Sequence, residues 1–239
     1  MKGTTMKHFL NRTAALASVA AGALAIGLAP VAWAQEFSGN VTLVSDYSFR
    51  GESQTGRDAA IQGGFDLGFD SGFYIGTWAS NVNFGPYSDG ADPTYTSMEL
   101  DLYAGFSGEM GDGAGWDVSV IRFEYPNEGD ASDYIELSLN FSFGNFSVGA
   151  NYSPEYLGDG GDTFLYPNVG YSFSLSENAT LDVSVGQGIG DTGDHLDYSI
   201  MLGAPVAGLD FGIGVVGTDI DDGNPGNEGR LILSLSKSL

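Results

Sequence analysis

From about residue 36 onward, apolar and polar positions alternate with a period of two. Ile61, Phe65, Leu67 and Phe69 interleave with Gln62, Gly64, Asp66 and Gly68. Met98, Leu100, Leu102, Ala104 and Phe106 interleave with Glu99, Asp101, Tyr103 and Gly105. The same holds for Ile135 to Phe143 around Glu136, Ser138, Asn140 and Ser142, for Leu181 to Val185, and for Leu231 to Leu235. This period places successive side chains on opposite faces of a strand, one greasy and one polar or tiny. Twelve such segments can be drawn, at 36–49, 58–69, 73–85, 95–108, 115–125, 133–143, 146–156, 163–175, 179–187, 195–203, 208–218 and 229–238. Most reach the roughly 9–11 residues with which a tilted strand crosses a hydrocarbon core. The odd-numbered gaps between them are long or acidic, and the even-numbered ones are mostly tight. Long loops at one end and short turns at the other predict an all-β, antiparallel, up-and-down transmembrane β-barrel, with both termini on the short-turn side. A soluble β-sandwich is the alternative all-β reading, because it also alternates. The chain ends on a further alternating run, 231–239, of the kind that closes outer-membrane barrels, although its last residue is Leu239 and not an aromatic.

The first 34 residues read differently. Lys2, Lys7 and Arg12 precede an apolar run from Ala14 to Ala29, and Ala32-Trp33-Ala34 forms a small-residue cleavage signal. This predicts a secretory signal peptide over 1–34 and a barrel over 35–239, with export across the inner membrane to the outer membrane of a Gram-negative cell. No later stretch has the 18 consecutive apolar residues of a transmembrane helix.

Composition narrows the function classes. The 239 residues contain 8 Lys+Arg against 31 Asp+Glu, a formal net charge of -23, and no Cys. Disulfide scaffolds, thiolate metal sites and thiol nucleophiles are excluded. A chain this acidic repels phosphate backbones, so no nucleic acid is expected as partner. Beyond the leader the basic residues are Arg50, Arg57, Arg122, Arg230 and Lys237.

The stretch Ser45-Asp46-Tyr47-Ser48-Phe49-Arg50-Gly51-Glu52-Ser53-Gln54-Thr55 resembles the opening of the proteobacterial TorF-like porin family. So do Ala60-Ile61-Gln62-Gly63-Gly64-Phe65, the run from Ser71 to Val82, and Glu99-Leu100-Asp101-Leu102-Tyr103-Ala104-Gly105-Phe106. Fainter echoes follow at Phe123-Glu124-Tyr125-Pro126 and Tyr134-Ile135-Glu136-Leu137; beyond about residue 160 only the general strand pattern continues. The resemblance implies an outer-membrane barrel of porin type and no particular solute.

If the strongly apolar positions face lipid, their neighbours face a lumen. That parity assigns Asp46, Arg50, Gln62, Asp66, Glu99, Asp101, Tyr103, Glu136, Asn140, Asn151, Asp182 and Asp197 inward as candidate pore-lining residues. Carboxylates in a lumen concentrate cations and repel anions. The functional expectation is therefore a porin-like channel for small polar or cationic solutes, with outer-membrane lipids outside. The competing expectation is a narrow or plugged barrel, structural or adhesive, whose acids pair with the few arginines. Asp46 and Arg50 share parity near the end of the first segment, where Arg50 is expected to neutralise nearby carboxylates and hold a loop. Parity alone leaves the third and fifth segments open: Tyr74/Trp78 competes with Phe73/Ile75, and Trp116/Val118 with Ile121/Phe123, so Arg122 is unassigned.

Four weaker signals complete the reading. Asp219-Ile220-Asp221-Asp222-Gly223-Asn224 resembles a calcium loop, but its Gly is one position early and helices are missing, so no dedicated metal site is expected. The acidic loops, with Asp159, Asp162, Asp191 and Asp194, are expected at most to bind divalent cations loosely. Gly188-Ile189-Gly190-Asp191-Thr192-Gly193 matches a dinucleotide fingerprint in letters only, since a strand and not a helix follows, and no cofactor is expected. A membrane-embedded hydrolase is a further alternative; His195 and Ser199 share parity, but about 13 Å of strand separates them, too far for a catalytic pair, and no enzyme is expected. Aromatic residues near segment ends, among them Phe37, Tyr47, Phe49, Phe73, Tyr74, Trp78, Phe84, Tyr87, Trp116, Phe123, Tyr125, Tyr156 and Tyr171, suit girdles at two membrane interfaces.

Overall fold

The computed structural model describes residues 36–239 apart from 85, 88–93, 112, 127–131, 191–193 and 222. The expected leader lies outside the described residues, as do Asp191 and Asp222 of the acidic loops. In chain order the strands are β1 (Glu36–Val44), β2 (Ser48–Phe49), β3 (Glu52–Ser53), β4 (Ala60–Gly68), β5 (Phe73–Asn81), β6 (Pro86–Tyr87), β7 (Thr94–Tyr95) and β8 (Met98–Glu109). They continue with β9 (Ala114–Glu124), β10 (Tyr134–Phe143), β11 (Phe146–Ser153), β12 (Phe164–Ser176), β13 (Ala179–Gly190), β14 (His195–Val206), β15 (Leu209–Thr218) and β16 (Arg230–Ser238). Twelve of them form one closed antiparallel sheet, in the order β1-β16-β15-β14-β13-β12-β11-β10-β9-β8-β5-β4, and β4 returns to β1. Closure leaves no strand edge unpaired, which is what a sheet needs where no water can satisfy its backbone. The sandwich alternative is thereby excluded. No helix is long and apolar enough to cross a membrane among the described residues.

The connections 69–72, 110–113, 144–145, 177–178 and 207–208, none longer than four residues, lie at one end, and the long ones, 45–59, 82–97, 125–133, 154–163 and 219–229, at the other. β2 pairs with β3, and β6 with β7, in small hairpins that belong to two of the long loops.

Side-chain exposure follows the alternation. Ile61 (66%), Leu137 (54%) and Leu231 (59%) face out, while Gln62, Glu136 and Ile232 beside them are buried. The two strands that parity left open are also decided. In β5, Tyr74 and Trp78 face the interior and Ile75 the outside; in β9, Phe123 is buried and Val118 and Val120 are exposed. Arg122 accordingly points outward, held by Glu124 at 2.8 Å and Asp133 at 2.9 Å.

The two-girdle expectation is corrected. At the turn end, outward aromatics do form a belt: Phe37 stacks on Phe65 (5.6 Å), and Phe73 packs between Phe69 (5.5 Å) and Phe106 (5.2 Å). Tyr47, Phe49, Tyr74, Trp78, Phe123 and Tyr125, however, are buried inside the barrel. For all but Tyr74 the physical reason is that the loop end of the interior must be filled, and aromatic rings bury the most surface per residue; Tyr74, at the turn end, faces inward and donates to Asp117.

Candidate functional site: the lumen and its inward hairpin

The first segment was expected to run to residue 49 with Asp46 and Arg50 on one strand face. The structure corrects this. β1 ends at Val44, and residues 45–55 turn into the barrel interior, where Asp46, Tyr47, Ser48, Phe49 and Arg50 are all buried, before 56–59 return to the surface. The turn between β2 and β3 is Arg50-Gly51, with φ of 50° and 82°. Two positive φ values in a two-residue hairpin loop are the signature of a type I′ turn, which matches strand twist and favours Gly at its second position. Arg50 occupies the left-handed region at a steric cost of about 1–2 kcal/mol, so its neighbours must hold it there.

They do so by pairing each end of the hairpin to a distant strand. Arg50 makes a two-pronged contact with Glu136 of β10, Nη1 donating to Oε1 at 2.8 Å and Nη2 to Oε2 at 2.7 Å. Asp46 pairs not with Arg50 but with Arg230 of β16. Arg230 Nη1 also donates to the Gly51 carbonyl at 2.6 Å, so one guanidinium pins both the base and the tip of the hairpin. Asp46 further accepts from the hydroxyl of Ser53 at 2.5 Å and lies 2.9 Å from Thr55 Oγ1. The side chains of both ion pairs are at most 7% exposed.

Around the hairpin the barrel wall and the loops after β9 and β11 supply rings. Phe123 stacks on Tyr134 (4.5 Å) and Tyr156 on Phe164 (4.1 Å), with Tyr134 edge-on to Tyr156 between them (5.2 Å). Tyr47 packs edge-on to Trp78 (5.4 Å) and donates its hydroxyl to Glu99 at 2.8 Å, and Tyr125 donates to the other Glu99 oxygen at 3.1 Å. Burial first, then the Glu99 and Asp101 charges, pushes the Tyr47 hydroxyl well above its ordinary pKa. Burial likewise raises Tyr156, against the pull of the Arg50 charge, to about 12. Tyr47 therefore serves as a neutral donor to Glu99. Asp101, 1% exposed, has one oxygen, Oδ1, without a hydrogen-bond partner.

Toward the turn end the interior is looser. Asp66, Tyr103, Asp117 and Asn140 are partly exposed there, while Asp182 is buried under Ser172 (2.5 Å); Asn151, also partly exposed, lies nearer the loop end of β11. A repeated device organises the acids. Tyr103 of β8 crosses Gly76 of β5 and donates to Asp66 of β4 at 2.5 Å. Tyr74 of β5 crosses Gly105 of β8 and donates to Asp117 of β9 at 2.6 Å. Tyr166 of β12 crosses Gly186 of β13 and donates to Asp197 of β14 at 2.8 Å. Two inter-strand spacings are roughly 9.5 Å, a span a tyrosine covers only where the intervening residue lacks a Cβ. At Gly186, for example, an added Cβ would collide with the Tyr166 ring.

All the residues that parity assigned inward, Asp46, Arg50, Gln62, Asp66, Glu99, Asp101, Tyr103, Glu136, Asn140, Asn151, Asp182 and Asp197, do point into the barrel, but in two tiers. Asp46, Arg50, Gln62, Glu99, Asp101, Glu136 and Asp197 belong to the packed loop-end tier. The sequence reading missed Arg230, Asp117 and the bridging glycines. Alternation of Arg230 with Leu231 and of Asp117 with Val118 was the available signal. His195 stacks on Phe164 (6.1 Å), and its Nε2 is buried without a partner, so it is not held against a nucleophile. Among the described residues no group of three or more His, Asp or Glu side chains is arranged to hold a metal.

These features define the class: a closed twelve-stranded antiparallel β-barrel of outer-membrane porin architecture. The chain belongs to the family described as "Bacterial protein of unknown function (Gcw_chp)", which it matches over residues 29–231. The TorF-like designation stays a resemblance. No protein of curated function matches the sequence. Among solved structures, the fold is similar to the KdgM porin, with a TM-score of 0.53 and 10% identity over 84% of this chain and 99% of that one. The KdgM porin in complex with disordered oligogalacturonate matches equally, at 10% identity and a TM-score of 0.53 over the same shares of the two chains. A protein from work on in-meso crystallisation of membrane proteins reaches a TM-score of 0.50 at 12% identity, over 85% of this chain and 83% of that one. At such identities the likeness concerns the fold.

Proposed function

We propose that this protein is an outer-membrane channel for the passive diffusion of small polar or cationic solutes, narrowed at its loop end by the first loop. Lipid meets the outward belt, the short turns face the periplasm and the long loops face outward. The observation that carries the reading is the sidedness of the wall: an apolar exterior around an interior in which Asp66, Glu99, Asp101, Asp117, Glu136, Asp182 and Asp197 are gathered. Two inward arginines, each already paired with a carboxylate, leave a surplus of negative charge. That surplus draws cations and argues against a polyanionic cargo such as the oligogalacturonate found with KdgM. Reversal potentials in planar bilayers under a salt gradient test it. Cation preference is expected; anion preference refutes it.

A second reading has its own observation. The hairpin is held by two buried ion pairs and a layer of stacked rings, as a permanent plug would be. A barrel that stays silent even after removal of the hairpin is structural and not a channel.

A further inference from the structure

The guanidinium of Arg50 sits in a cage that the barrel wall builds around it. Its carbon lies 4.3 Å from the centroid of Tyr166, 5.1 Å from Phe164 and 5.6 Å from Tyr156, with Phe49 of the hairpin itself at 4.5 Å. Glu136 takes both its nitrogens in a parallel pair of hydrogen bonds. Aromatic faces plus one two-pronged carboxylate are the chemistry that selects a planar, delocalised cation over a spherical one. Glu136, Phe164 and Tyr166 stand on the wall and Tyr156 on the loop between β11 and β12, so none of them is carried by the hairpin. Among the described residues its surroundings are short of positive charge: Glu99 is met by the hydroxyls of Tyr47 and Tyr125, and buried Asp101 Oδ1 has no hydrogen-bond partner. Arg50 is also held there in a left-handed backbone conformation, so its occupancy is opposed by strain in its own turn.

We infer that this cage is a binding site for small guanidino compounds, with Arg50 as its tethered resident. A free solute bearing a guanidinium competes for Glu136 and the rings of Tyr156, Phe164 and Tyr166. Binding of the solute and docking of the Arg50 hairpin exclude one another, so by linkage each weakens the other. The tether raises the effective concentration of Arg50 and lowers the apparent affinity for the solute in the intact protein. The inference deepens the channel reading and rests on it in one respect: a solute must reach the cage from the lumen.

The test reads binding at equilibrium, so silence in bilayers would refute the channel and not the cage. Arg50→Ala is refolded into detergent, and its thermal midpoint is followed against ethylguanidinium, the truncated arginine side chain. Potassium and tetramethylammonium at equal ionic strength serve as controls; the latter has the charge but no N–H donor. Arg50→Met, which keeps the packed stem, replaces the alanine variant if that fails to fold. The expected result is a saturable rise in the midpoint with ethylguanidinium alone, lost when Glu136→Gln is added to the same background. No rise beyond that with potassium, or an equal rise without the Glu136 carboxylate, overturns the inference.

Discussion

Replacing Arg230 with Ala is the sharpest perturbation of the inward hairpin. The Arg230 and Asp46 side chains are 7% and 5% exposed, and removing one member of such a buried pair costs about 3–5 kcal/mol because the other charge is stranded. Here Asp46 keeps the hydroxyls of Ser53 and Thr55, which offsets part of the loss and places the expectation near the low end, about 3 kcal/mol. The loss falls on hairpin docking more than on the wall, since the β15–β16 ladder is carried by backbone bonds along Asp210 to Val216 and Arg230 to Ser236. A local opening made easier by that amount raises its equilibrium constant on the order of 100-fold. Hydrogen exchange of peptides covering 45–57, compared with wall peptides in the same micelles, reads it directly. Adding Asp46→Ala to Arg230→Ala is expected to cost far less than the sum of the single changes. Unchanged protection of the hairpin, or a loss spread evenly over β1 and β16, would refute the pinning argument.

Other expectations follow from the same geometry. Leu139→Arg, on the lipid face at mid-strand, destabilises the barrel by about 2–4 kcal/mol in vesicle unfolding, whereas Asn140→Arg, one residue on and facing inward, costs far less. Gly186→Ala costs about 1–3 kcal/mol of strain in urea unfolding by displacing the Tyr166 ring, and most of that penalty disappears in a Tyr166→Ala background. Tyr156 ionises at about 12 when packed and near 10 when solvated, so its packing favours the neutral form. The Tyr156 contribution to hairpin docking is therefore complete below about pH 10 and is lost between about 10 and 12, seen as a rise in channel open probability over that interval.

The wall was legible in the sequence because one face of each strand meets lipid along its whole length, so strict alternation had to persist from β1 to β16. Legibility failed where both faces are apolar. In β5 and β9 the inward positions Trp78 and Phe123 pack against the hairpin residues Tyr47 and Phe49, and so they carry rings on the face that elsewhere carries acids. The first segment was drawn too long for a related reason. Ser45 to Phe49 continues the alternation, and what bends it inward is Arg230, 184 positions away from Asp46, and Glu136, 86 away from Arg50. Such partners have no local trace. The tyrosine-over-glycine bridges were invisible because Gly76, Gly105 and Gly186 read only as small residues until the register set each beneath a ring. The acids themselves were placed inward by parity, but their split into a packed and a looser tier depends on how far the first loop descends.

The central claim is that the first loop, folded into the loop end of an acid-lined lumen, governs passage through it. Single-channel recording of a variant in which residues 46–57 are replaced by a short Gly-Ser linker addresses it directly. A larger conductance than the intact chain shows, still selective for cations, is the predicted result. Equal conductance in the two proteins, or none in either, would contradict it.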